Sequence, residues 1–463
     1  MDTGANSFYK MTIVTVEKRT KTKYIMLWEY GRTGTSKRGH TYREATEPEA
    51  IIEEWGKKFA EMTGNDWADR TNFEKKPGKY FMTKLDDGND ESEENEAVQA
   101  KKEELAALEQ ETGAPEGIRL DERVCAFVEM VFDKDMMNSS MESMGVDVKK
   151  MPLGKIKTEQ IKEGYLILSA LSDVLKSDDA QRLKKVKDLS ARFYTLIPHT
   201  FLGDIPLIDT LEMVAEKVKL VDTMCDIEIA MKLLEQERKA KDQSKMQVLY
   251  EHYQKLHTVL TPLDKQSERY KLLETYVKQS QEKGSRIKLL DVLEVEREGE
   301  TERFVPHSDD ANRQLLWHGS RLTNYVGILS TGLRIAPPEA PASGYRFGKG
   351  IYFADCMSKS SMYTTVNKRH HGVMLLCEVA LGKPWKTERD KYMEKPQPGS
   401  DSTFAMGMVC PNPDETVTLD DGLQVPLGHI VPSGLEQSWC THDEFIVYDV
   451  ARVRIRYVLM IQK

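Results

Sequence analysis

The sequence predicts a multidomain α+β protein: a small β-rich domain first, an all-α helical bundle in the middle, and a mixed α/β domain with a split antiparallel sheet at the end. Three observations predict it. Apolar and polar residues alternate with period two near the N-terminus, helical spacing takes over from Leu120, and runs of β-branched residues return beyond about residue 245. At 463 residues the chain has room for roughly two to four domains, each with its own core.

The first block, residues 1–84, alternates as strands do in YKMTIVTV (9–16) and KYIMLWEYGR (23–32). A helix is expected from Glu47 to Thr63, with Ile51, Ile52, Trp55 and Phe59 on one face. Between residues 10 and 43 nine Lys or Arg face only Glu17 and Glu29. That surplus suits either a phosphate-facing surface or a solvated charged face.

Residues 85–118 read as an acidic linker. Twelve acids and two lysines lie between 86 and 116, a net −10, so the rest of the chain sums to +1 although the whole carries −9. Overall acidity therefore does not argue against a nucleic-acid partner. Few aromatic or β-branched residues occur there, which predicts a disordered spacer with a helical piece over 97–111. Its carboxylates and Ser92 are equally reachable as sites of self-modification.

From 119 to 235 the period is helical. Val124, Phe127, Val128 and Val131 recur at i, i+3, i+4, i+7, as do Ile161, Tyr165, Leu168 and Leu171, which predicts an all-α bundle. The last segment, 245–463, holds strand-like runs at 372–381, 445–448 and 453–461.

Composition excludes several classes. No apolar run approaches the ~18 residues of a membrane span. The opening MDTGANSFYK has no charged n-region followed by an apolar stretch, so secretion is not expected, and six cysteines without a Cys-x-x-Cys pair suit reduced thiols and no zinc finger, so no metal is expected. GYRFGKG (344–350) falls short of a phosphate-binding loop: its glycines are one residue too close, and Gly350 stands where Ser or Thr must meet Mg²⁺. The stretch that follows it is strand-like, which excludes a dinucleotide fingerprint.

Three residues at the edges of β-type runs carry the chemistry: His318 in LLWHGS, Tyr352 in GKGIYFAD and Glu444 in DEFIVYD. When the bond from ribose to nicotinamide breaks, positive charge develops on the sugar, and a carboxylate such as Glu444 stabilises it and helps deprotonate an incoming hydroxyl. The flat ring of Tyr352 or Tyr363 suits the nicotinamide. Backbone beside Gly319 can approach a carboxamide because no Cβ intervenes. His318 can bond a ribose hydroxyl without a fixed charge. Taken singly, each is more often a satisfied interior group.

Residues 315–335 (LLWHGSRLTNYVGILSTGLRI), 336–363 (APPEAPASGYRFGKGIYFADCMSKSSMY) and DEFIVYD together resemble the catalytic domain of the DNA-dependent poly(ADP-ribose) polymerases. The resemblance implies that NAD+ is the substrate. It gives His318 and Ser320 the adenine-side ribose, Gly319 and Ser360 the nicotinamide amide, and Tyr363 and Tyr352 the two sides of the ring. Glu444 resembles the catalytic glutamate, with Lys359 close to the reacting ribose, and Asn324 and Arg334 line the adenosine part. Residues 336–347 correspond to the loop over the donor and 394–413 to the acceptor-side loop. PQPGSDSTFAMG and VPLGHIVPSG look somewhat like a branch that adds single units.

The resemblance extends upstream. LWEYGRTG (27–34), NDWADR (65–70) and FEKKPGKY (73–80) look like a WGR domain, implying that DNA ends or nicks contact Tyr30, Arg32, Lys37 and Arg38. Tyr30 stands where the signature has Trp, an aromatic with a smaller face. Residue 1 falls where the family is already inside the module, so at least one opening strand and the usual basic tail are expected to be missing, with either weaker DNA affinity as the consequence or a truncated sequence as the reason. KKMPLGKIKTEQIKEGY, RFYTLIPH and DIEIA resemble the helical regulatory domain, with Asp222 and Asp226 as acids near the NAD cleft. The resemblance implies a nuclear enzyme of the DNA damage response that modifies itself and chromatin proteins, away from membranes. The end VLMIQK lacks the longer aromatic tail to which the family's histone-modification accessory factor binds, so that partner is not expected.

Overall fold

The computed structural model describes residues 7–18, 21–32, 38–74, 76–80, 82, 120–178, 180–201, 205–235 and 245–463. The linker expectations at 85–118, and Lys37, lie outside them. Among the described residues no helix is long and apolar enough to cross a membrane.

The N-terminal strands β1 (Ser7–Lys18), β2 (Lys21–Arg32) and β3 (Arg38–Ala45) form an antiparallel sheet in that order. Helix α1 (Pro48–Thr63) packs on β2 and β3. Pro48 suits its first turn, and Gly64 ends it at φ 73° with a backbone bond to Ala60. Ile51 and Phe59 are buried; Trp55 stacks on Phe59 at 5.4 Å, and Trp67 meets both edge-on at 4.2 and 5.1 Å. Ile52, expected on the same face, is 61% exposed. One residue's rotation, about 100°, carries it off the buried stripe.

The middle region contains α2 (Glu122–Val131), α3 (Lys134–Ser143), α4 (Thr158–Lys176), α5 (Arg182–Leu196) and α6 (Leu211–Glu235), with α7 (Lys245–Gln254) against α2. Asp121 and Asp133 cap α2 and α3 by accepting from backbone N–H groups. The residues given helical spacing are buried in α2 and α4. α6 is covered on several sides: Glu212, Glu216, Lys219 and Lys232 are exposed, whereas even Asp226 and Glu228 are buried along with its apolar residues. It packs on α4 and on parts of the C-terminal domain.

That domain holds β4 (Thr258–Pro262), α8 (Glu268–Gln279), β5 (Lys288–Arg297), α9 (Glu300–Phe304), β6 (Arg313–Gly319), α10 (Tyr325–Thr331), β7 (Ile351–Phe353), α11 (Met357–Ser361) and β8 (His371–Ala380). It continues through β9 (Pro384–Thr387), β10 (Ser402–Ala405), β11 (Gly407–Pro411), β12 (Val417–Thr418), β13 (Gln424–Val425), β14 (Ile430–Pro432), β15 (Cys440–His442), β16 (Glu444–Val447) and β17 (Val453–Gln462). A seven-stranded sheet runs β12-β13-β6-β8-β17-β5-β4, and a four-stranded sheet runs β7-β16-β10-β9. The split sheet is largely antiparallel, with parallel pairs at β9–β10, β11–β15 and β6–β13. β10 and β11 correct the sequence reading, which placed 394–413 in a loop: Pro and Gly dominate its start, but Ser402, Thr403 and Ala405 are buried in β10, which pairs with both β9 and β16.

Candidate functional site

The two sheets meet where the three singled-out residues lie. A bridge between Trp317 and Ala354 joins β6 to the end of β7, and β7 pairs with β16 so that Tyr352 faces Ile446. His318, Tyr352 and Glu444 therefore sit on neighbouring strand ends. The rigid backbone of three paired strands, rather than loops, sets their separation.

His318 donates from Nδ1 to the carbonyl of Tyr352 at 2.9 Å. Burial pushes its pKa down, so the ring is neutral at pH 7 and presents Nε2 as an acceptor. The Tyr352 hydroxyl donates to Gly348 O at 2.7 Å and accepts from Phe347 N at 3.1 Å, fixing its ring. Glu444 is buried and ion-pairs with Lys359 of α11. Burial opposes the Lys359 ammonium, but the hydrogen bond and charge of Glu444 outweigh it, so the lysine's pKa is raised. Removing either partner would strand a buried charge.

Gly319 shows why glycine stands there: a Cβ would lie 1.8 Å from Ser360 O, inside any contact distance. Ser360 is buried and donates to Trp317 O at 3.1 Å. Tyr363 is half exposed at the rim. Asn324 donates to Ser320 Oγ at 3.0 Å. A neutral imidazole, a glycine cradle, an exposed phenol ring and a carboxylate are the donors and surfaces that a dinucleotide's ribose, amide and ring need.

Arg334 is already engaged, by Asp226 of α6 and at 3.5 Å by Cys225 Sγ. Asp226 also lies on Gly327 of α10, where a Cβ would meet its Oδ1 at 3.0 Å. Burial pushes the Asp226 carboxyl up to about 7 against the pull of Arg334. One turn earlier, burial pushes Asp222 up to about 6, and it accepts from Tyr165 at 2.5 Å and Tyr345 at 3.5 Å. Tyr345 belongs to the segment 336–347, so α6 is tied to both the Arg334 side and that segment. Sequence reasoning named the two acids but missed Tyr165, Tyr345 and Cys225 as partners. Tyr165 carried only a core signal, and its bond to Asp222 spans 57 positions.

The DNA-contact candidates are not brought together with these residues. Tyr30 lies on β2, 43% exposed and stacked 6.0 Å from Tyr9. Arg32 and Arg38 end β2 and begin β3 and pair near each other through Gly31. Among the described residues no His, Cys, Asp and Glu group could hold a metal ion.

Three family models match in the same order: WGR domain at 1–74, poly(ADP-ribose) polymerase regulatory domain at 118–253 and poly(ADP-ribose) polymerase catalytic domain at 267–463. The chain belongs to the poly(ADP-ribose) polymerase family. It is 36% identical to poly [ADP-ribose] polymerase 2 of Arabidopsis thaliana, covering 99% of this chain and 71% of that one, and 36% identical to the Zea mays protein of the same name, covering 98% and 68%. Against poly [ADP-ribose] polymerase 1 of Gallus gallus it is 36% identical over 99% of its own length but 44% of the relative's. The chain thus spans less than half of that relative's length.

Proposed function

We propose that the chain is an NAD+ ADP-ribosyltransferase that, on meeting DNA ends or nicks, transfers ADP-ribose to protein acceptors including itself, elongates poly(ADP-ribose) and releases nicotinamide. The observation that carries it is the buried Lys359–Glu444 ion pair on the strand next to Tyr352, whose carbonyl orients a neutral His318. Glu444 acts as the catalytic carboxylate and Lys359, ion-paired with it, aims it. His318 and Ser320 hold the adenine-side ribose. Gly319 and Ser360 hold the amide, Tyr352 and Tyr363 flank the ring, and Asn324 and Arg334 line the adenosine part. NAD+ is substrate, and the reaction calls on no metal.

Residues 1–84 act as DNA sensor through Tyr30, Arg32, Lys37 and Arg38, 85–118 as linker, 119–235 as regulatory bundle and 245–463 as catalytic domain. Asp222 and Asp226 hold α6 against the donor cleft until DNA is bound, a coupling between separate sites. The place of action is the nucleus, and the acceptors include chromatin proteins.

Incubating the purified chain with NAD+, with and without nicked DNA, tests this: a DNA-dependent ladder of modified protein supports polymer synthesis. A single discrete shift would make the protein a mono-ADP-ribosyltransferase, the reading that PQPGSDSTFAMG favours. DNA binding with no NAD+ turnover would make it a silent scaffold.

A further inference from the structure

Beneath Glu444 lies a second pair of acids that the transfer chemistry does not use. Asp443 is its chain neighbour, and Asp355 follows β7 by two residues; each is 5% exposed. The register of β7 on β16 pairs Phe353 with Phe445 and Tyr352 with Ile446. Continued by two residues, the same register sets Asp355 opposite Asp443, close enough for each carboxyl to act directly on the other. Two carboxylates directly opposite on paired strands repel, and in a dry site they cannot both ionise.

The surroundings do not neutralise a double charge. Lys386 on β9 is the basic group that acts on Asp443, while Lys359 is committed to Glu444, and His442 Nε2 lies 2.7 Å from a Glu282 oxygen without hydrogen-bond geometry. The other titratable neighbours are the phenol of Tyr276 and the thiols of Cys356 and Cys410, which burial keeps protonated. Asp443 Oδ1 accepts from Gly407 N at 2.6 Å, and Asp355 Oδ1 has no partner among the described residues. Burial and the neighbouring carboxyl hold Asp355 well above the usual carboxylate range, and burial pushes Asp443 up to about 6.

We propose that Asp355 and Asp443 share one proton at neutral pH and thereby latch the strand end carrying Tyr352 to the one carrying Glu444, making both of them positioning residues for the Glu444 carboxylate. The inference rests on the reading of Glu444 as the transferring carboxylate. Through the Trp317–Ala354 bridge the latch also reaches the strand of His318. When the shared proton leaves at alkaline pH, like charges face each other across the β7–β16 pair and Glu444 loses its register. An amide in place of either acid donates its N–H to the remaining carboxylate, so the latch stays closed with no proton to lose.

The test uses the full chain with nicked DNA and NAD+. Infrared difference spectra at neutral pH, wild type minus Asp443→Asn and wild type minus Asp355→Asn, should each show the loss of one protonated-carboxyl C=O band. Both Asn variants should keep neutral-pH kcat within about threefold of wild type while losing its alkaline decline. Asp443→Ala should lower kcat by roughly tenfold or more with KM little changed. If that variant fails to fold, the two Asn variants carry the test alone. The proposal is overturned if no carboxyl band disappears, if the Asn variants decline at alkaline pH as wild type does, or if Asp443→Ala matches them in kcat. The infrared signal reads the latch whether or not the protein makes polymer. Failure of transfer would therefore sink the reading of Glu444 and leave the shared proton standing.

Discussion

Replacing Asp226 with Asn isolates the contact that ties α6 to Arg334. The amide keeps the shape that rests on Gly327 but removes the charge that pairs with the guanidinium. A hydrogen bond between charged groups contributes about 1.5–3 kcal/mol. Arg334 is 39% exposed, so solvent screening reduces this to about 1–2 kcal/mol. Burial already holds Asp226 against ionisation, so neutralising it removes a desolvation cost and global stability should change by less than about 1 kcal/mol. The loss therefore falls on closure of the gate, and DNA-independent NAD+ consumption should rise by about 5- to 30-fold. Nicotinamide release without DNA and with saturating nicked DNA, alongside the melting temperature, measures both. Basal turnover unchanged at unchanged stability would refute the argument that this ion pair holds the gate.

Other outcomes follow from the same geometry. Asp222 and Asp226 sit near 6 and 7, against about 4 in an unfolded chain, so the folded protein binds protons that the unfolded chain releases. Their contribution to stability is full below about pH 4 and is lost as pH rises through 6 to 7. The melting temperature should fall across that window, less steeply in Asp222→Asn/Asp226→Asn. Gly319→Ala sets a methyl on Ser360 O and should cost more than about 2 kcal/mol by denaturant titration and weaken NAD+ binding in calorimetry. Lys359→Met leaves a buried carboxylate without its cation and should cost about 3–5 kcal/mol, with Lys359→Arg restoring part of it. Tyr30→Ala should weaken binding to nicked DNA by about 1–3 kcal/mol in a fluorescence titration, leaving Glu444 chemistry on bound protein intact.

Much of this architecture was legible because it is written locally. Period-two runs found the N-terminal strands, and helical spacing found α2 and α4 with their buried residues. His318, Tyr352 and Glu444 stood out because each sits in a distinctive word at a strand edge. What escaped depends on contacts between distant positions. Asp443 adjoins Glu444 in DEFIVYD and Asp355 ends GKGIYFAD, and nothing in the sequence sets either apart; only the β7–β16 register places them opposite each other. β10 hid behind a Pro- and Gly-rich approach, and its central place between β9 and β16 follows from tertiary pairing rather than from its own propensity. Tyr345 gave no sign of clasping Asp222, because the pairing depends on how α6 lies across the cleft.

The central claim is that a DNA-gated transfer runs through Glu444. Its most direct measurement compares wild type with Glu444→Gln for ADP-ribose incorporation from labelled NAD+, with and without nicked DNA, together with DNA affinity. Wild type should incorporate label in a DNA-dependent ladder, and Glu444→Gln should make no polymer while binding DNA equally well. Polymer formation by Glu444→Gln at the wild-type level would contradict the account.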